Sequence, residues 1–101
     1  MNTQEKKSLT FQNAVVTLNS PYEVIYSNDG KSLSIDIAIH SILDKRPNAL
    51  IYFPLHPKWE APFENDKISA QETDIICDCT ESALQQMGFN VKFCLPMGYN
   101  A

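Results

Sequence analysis

Two spacings of apolar residues run through this chain. One recurs at every second position, the period of a strand, and the other at three and four, the period of a helix. Leu9 to Asn19, LTFQNAVVTLN, is rich in β-branched residues, alternates roughly and is predicted as a strand. Asn19–Pro21 is turn chemistry. In YEVIYS, Tyr22, Val24 and Tyr26 alternate with Glu23, Ile25 and Ser27, giving a second strand hairpinned to the first. NDGK, Asn28 to Lys31, predicts a turn.

Ser32 to Pro47, SLSIDIAIHSILDKRP, fits both periods. Leu33, Ile35, Ile37 and Ile39 alternate as in a strand, and Asp29-Gly30 before them can close a hairpin onto Tyr22–Ser27. Ile35, Ala38, Ile39, Ile42 and Leu43 also share one helical face. Ser34 can cap such a helix, Asp36 suits its first turn and Pro47 stops it. Because the helical spacing continues to Leu43 while the alternation ends at Ile39, the pattern predicts a helix over Leu33–Lys45.

Asn48 to Leu55, NALIYFPL, is a short apolar run that predicts a buried, central strand ended by Pro54. Pro54 to Lys67, PLHPKWEAPFENDK, has no period; it carries three prolines and two large aromatics. Loops of this length inside a compact domain are often functional. A capping box follows, with Ser69 able to accept from the Glu72 amide while the Glu72 side chain reaches back, and Gly88 sits where a left-handed residue ends a helix. Phe89 to Pro96, FNVKFCLP, alternates as a half-buried strand. The predicted order is β-β-α-β-α-β: an α/β (α+β) two-layer sandwich, with a mixed four-stranded sheet and two helices. Residues 1–8 are expected to be a flexible N-terminus, 9–96 a single domain and 97–101 a tail.

Charge narrows the range of partners. The 101 residues hold 8 Lys and Arg against 12 Asp and Glu, a net charge of −4. The basic residues are scattered rather than clustered on one surface, which argues against nucleic acid. No apolar run approaches the ~20 residues that span a bilayer, so no membrane role is expected. The N-terminal stretch lacks the apolar core of a signal peptide, and three cysteines is an odd number. Together these predict free thiols in a reducing cytoplasm.

Cys77 and Cys79, one residue apart, raise the question of a metal or redox site. On a helix Ile76, Thr80, Ala83, Leu84 and Met87 form one stripe, and the two cysteines flank it about 160° apart. Such thiols cannot jointly hold a metal or close a disulfide, so no metal or cofactor is expected. The opposite face carries Asp74, Asp78, Glu81 and Gln85, a solvated helix back or a docking surface for a basic partner.

No catalytic constellation is found: no nucleophile elbow, no phosphate-cradling glycine loop and no zinc-protease pair. His40 reads as structural or surface. His56, just past the central strand, can pair with Glu60 or Glu64 as an acid–base couple. The aromatic, proline-stiffened loop at 54–67 offers Trp59 and Phe63 as interface anchors or as core cover, with Tyr52 and His56 beside it. The sequence therefore favours a small acidic cytoplasmic protein-binding module (an inhibitor, immunity-type protein or adaptor). Its candidate contacts are Tyr52, His56, Trp59, Phe63, Asp74, Asp78 and Glu81. The alternatives are a small-molecule binder or modest enzyme with a pocket beside the loop and His56 as acid–base group, and a self-associating chain pairing edge strands.

Overall fold

A computed structural model describes residues 7–11, 13–41 and 45–94. In chain order the elements are β1 (Lys7–Phe11), β2 (Ala14–Ser20), β3 (Glu23–Asn28), β4 (Lys31–His40), β5 (Asn48–Tyr52), α1 (Ala70–Gln86) and β6 (Asn90–Cys94). They build one six-stranded sheet in the order β1-β2-β3-β4-β5-β6. The first five strands form an antiparallel meander, and β6 joins β5 in parallel. A parallel neighbour needs a crossover, and α1 supplies it.

The expected four-stranded sheet with two helices in the order β-β-α-β-α-β is thereby corrected to β-β-β-β-β-α-β, six strands and one helix among the described residues, within the α+β class. Two local errors account for the difference. The helix expected over Leu33–Lys45 is strand β4 as far as His40; of its remainder, residues 42–44 lie outside the described residues. The single strand expected over Leu9–Asn19 is two strands, reversing between the paired residues Phe11 and Ala14. The expected tail at 97–101 also lies outside the described residues, as do residues 1–6, while Lys7 and Ser8 open β1.

The β4 outcome follows from backbone chemistry at Asp29-Gly30. Both residues have positive φ, 53° and 81°, and Asn28 and Lys31 pair directly across them. Two consecutive left-handed residues make the two-residue hairpin turn whose twist matches that of its strands. Once that turn closes, Leu33 lies opposite Tyr26 and Ile35 opposite Val24, while Ile37 meets Ile51 on the far side. All six of these side chains are buried.

The core lies between one face of the sheet and α1. Val16, Val24, Ile35, Ile51, Ile76 and Leu84 are among its fully covered side chains. Thr80 is fully buried there too, and its hydroxyl has no hydrogen-bond partner among the described residues. A buried polar group left so costs about 1–3 kcal/mol.

Both ends of α1 are closed by the chemistry expected of them. Ser69 Oγ accepts from the Glu72 amide at 3.0 Å, and Glu72 Oε1 accepts from the Ser69 amide at 3.0 Å. At the other end, the Gly88 amide donates to the Gln85 carbonyl and the Phe89 amide to the Leu84 carbonyl, both at 3.0 Å. This paired closure requires a left-handed residue, and Gly88 has φ +104°. The last turn of α1 has no basic residue of its own. Arg46, from the segment before β5, donates to the carbonyls of Gln85, Gly88 and Phe89 at 3.1–3.2 Å.

Candidate functional site

The segment between β5 and α1 has no regular element, yet it is tied down. β5 pairs with β4 only from Asp36 to His40, leaving the first half of β4 without a β5 neighbour. The loop runs back along that half, and the Glu60 amide donates to the Ser32 carbonyl at 2.8 Å. Two successive turns follow, Phe63 amide to Glu60 carbonyl and Asp66 amide to Phe63 carbonyl, each 3.0 Å. Covering an edge in this way removes a template for strand addition.

This course carries Trp59 inward. Its ring stacks on Tyr26 with centroids 6.2 Å apart and planes at 27°, and only 4% of the residue is exposed. Phe63 lies half-buried against the same core. Lys31, at the start of β4, extends over both rings, its Nζ 5.9 Å from the Trp59 centroid and 5.6 Å from that of Phe63. The same ammonium pairs with Asp66 Oδ2 at 2.9 Å. The hydrogen bond to Asp66 is the main reason the Lys31 pKa is raised, with the carboxylates of Glu72 and Asp29 adding to it.

Beside this cluster is a cleft of ≈ 260 Å³ between the β3–β4 turn and the first half of α1. Tyr26 and Trp59 form its inner wall. Asn28, Asp29 and Lys31 line the turn side, and Glu72, Ile75 and Ile76 the helix side. Tyr26 is only 1% exposed, and its hydroxyl accepts from Asn28 Nδ2 at 3.3 Å. Among the described residues that hydroxyl donates to no acceptor. Ile75, by contrast, is 48% exposed on the rim.

The residues singled out from the sequence divide among several places. Trp59 is core and Phe63 is half-buried. Tyr52 pairs with Asp36 on the sheet face away from α1, so the aromatic group expected to act together is split across the sheet. His56 is exposed and has no hydrogen bond or ion pair among the described residues. It lies with Glu64 in a second, broader groove that also includes Leu55 and Thr73. Asp74 and Asp78 are exposed on the outer face of α1, and Glu81 is partly covered. The sequence reading missed Tyr26, Asn28, Lys31 and Ile75. The turn at Asp29-Gly30 was their one available signal, because it places Lys31 directly opposite Asn28.

Cys77 and Cys79 are both on α1, and all three cysteines are free. Among the described residues no group of three or more His, Cys, Asp or Glu side chains is placed to hold a metal ion. Burial pushes both helical thiols up; Asp74, Asp78 and Glu81 reinforce this at Cys77, and Asp78 does so at Cys79. Since the thiolate is the nucleophile, site-resolved alkylation at pH 7.5 should label both positions more slowly in the folded chain than in urea. The same shifts fix the sign of alkaline denaturation. Thiols held protonated in the fold, and an ammonium held charged, contribute stability that is complete below the unfolded pKa values, about 8.5 for Cys and 10.4 for Lys. That stability is lost as pH rises through the higher folded values. The Tm should therefore begin to fall near pH 9 and fall further above pH 10, as checked by thermal melts across that range.

No helix among the described residues is long and apolar enough to cross a membrane. No family model, curated protein or solved structure matches the chain.

Proposed function

We infer that this chain is a non-catalytic protein-binding module, and that its contact surface is the cleft and the outer face of α1 rather than the tip of the 54–67 loop. The observation that carries the reading is Ile75. A large aliphatic side chain 48% exposed stands between the cleft and the exposed carboxylates of Asp74 and Asp78. An apolar contact next to a group of one charge sign is the composition of an interface with a basic partner: the apolar area gives affinity and the field gives encounter rate. A cytoplasmic setting belongs to the same reading, supported by three cysteines left unpaired.

The test compares capture from the native host by the wild-type chain, by Asp74→Lys/Asp78→Lys and by Ile75→Ser. All three positions are exposed, so circular dichroism should show each variant folded. A basic protein should be recovered by the wild type, more weakly as salt rises, and at least tenfold less by the charge-reversed variant. Equal recovery by all three chains would refute the reading.

A further inference from the structure

We propose that the cleft receives an ammonium or guanidinium group, carried by a lysine or arginine side chain of the partner, and that Lys31 is a resident competitor for the aromatic corner of the site. The proposal rests on the binding-module reading above and adds the chemistry of the group that enters.

The lining gives the sign of the ligand. Asp29 and Glu72 line the cleft, and Lys31, the one cation in the lining, is paired with Asp66 outside it. With the Lys31 ammonium paired to Asp66, the carboxylates of Asp29 and Glu72 repel an anion and attract a cation. The uncharged groups agree. The Asn28 amide carbonyl is an acceptor, and so is the second oxygen of Glu72, whose Oε1 is taken up by the helix cap. Trp59 adds the face of an aromatic ring, the surface over which ammonium and guanidinium groups settle.

Lys31 already shows what the corner prefers. Its ammonium lies within 6 Å of two ring centroids and 2.9 Å from a carboxylate, which are the contacts an incoming basic side chain would make. The pair is solvent-accessible, so an exchange of one cation for another leaves no charge buried and unpaired. Size points the same way. A volume of ≈ 260 Å³ lies below the roughly 300–1,000 Å³ of sites for drug-sized ligands, and it suits one side chain rather than a cofactor.

The experiment uses the purified full chain and small amide probes followed by two-dimensional NMR. N-acetyl-arginine amide and N-acetyl-lysine amide should shift the Trp59 indole and Glu72 amide signals saturably, whereas N-acetyl-glutamate amide should not. Lys31→Met removes the competitor and should tighten the arginine probe about tenfold, as when a binding-competent state rises from one-tenth populated to fully populated. Glu72→Gln keeps a capping-box side chain at that position, so α1 stays intact while probe affinity falls several-fold. That variant decides the matter should Lys31→Met fold poorly. Absence of saturable shifts in both the wild type and the variants, or equal shifts with the glutamate probe, overturns the proposal. The two failures are distinct. A basic partner that depends on Asp74 and Asp78, with no probe bound in the cleft, removes this inference and leaves the module reading standing. Probe binding without any partner dependence on those residues does the reverse.

Discussion

Trp59→Ala is expected to lower the free energy of unfolding by about 3–5 kcal/mol, the usual cost of cutting a buried tryptophan back to its first carbon. The ring is packed, not displayed: 4% of the residue is exposed and one face lies on Tyr26. Alanine would leave a void under the half of β4 that β5 does not reach, and Lys31 would lose a ring beneath its ammonium. A domain of this size has a total stability of about 5–15 kcal/mol, so the loss is about a fifth of the total or more. Because Trp59 is the sole tryptophan, its own fluorescence reports on wild-type unfolding, and circular dichroism reports on the variant. Denaturant titration should give a much lower midpoint for Trp59→Ala and a smaller drop for Phe63→Ala, whose ring is only half-buried. A stable, folded Trp59→Ala would instead mean that the ring is a surface anchor.

How far the fold could be read from the sequence depends on how local its determinants are. The helix was legible because its signals lie within its own span: Ser69 and Glu72 at one end, Gly88 at the other, and Ile76, Thr80, Ala83 and Leu84 buried along the stripe between. Strand β4 was not, because its deciding contacts are distant. Read alone, Ile35, Ala38 and Ile39 share a helical face. In the sheet, Ile35 is buried while Ala38 turns to the other face with Asp36 and His40, and the pairings with Val24 and Ile51 select that arrangement. The Asp29-Gly30 turn was the local clue and was outweighed by Ile42 and Leu43. The hairpin within Leu9–Asn19 left a trace as well. Inward positions are odd-numbered at Leu9 and even-numbered at Ala14, Val16 and Leu18, and such a switch of parity marks a chain reversal.

The site was less legible than the fold for the same reason. A loop without a period gives no account of where its side chains point, so Trp59 could not be assigned to core or surface before its contact with Tyr26 was known. Lys31 read as a turn residue, and its partner Asp66 is 35 positions away (66 − 31). The acidic stripe of α1, by contrast, followed from helical spacing alone, and its two leading members, Asp74 and Asp78, are exposed.

Arg46→Ala carries the second large effect, expected at about 2 kcal/mol although the residue is exposed. The last carbonyls of a helix have no partners within it and carry the negative end of its dipole. The terminal closure through Gly88 and Phe89 satisfies two of them, and Arg46 supplies the positive charge that the last turn of α1 lacks. Its guanidinium makes three bonds to backbone oxygens at Gln85, Gly88 and Phe89. Hydrogen bonds from a charged donor contribute about 1.5–3 kcal/mol, reduced here by solvent. The position also matters to the sheet. The neighbouring Pro47 carbonyl accepts from the Asn90 amide at 2.9 Å, at the start of the only parallel pairing among the described residues, β5 with β6. Loss of the clamp should therefore loosen the end of α1 and β6 together. For a domain of this size the Tm should drop by roughly 8–16 °C, and hydrogen exchange should quicken at Phe89, Asn90 and Val91 ahead of β2 and β3. Arg46→Lys, a point charge without the planar fork, should recover only part of the loss. A Tm unchanged within a degree in Arg46→Ala would show that the glycine closure holds this end of the helix by itself.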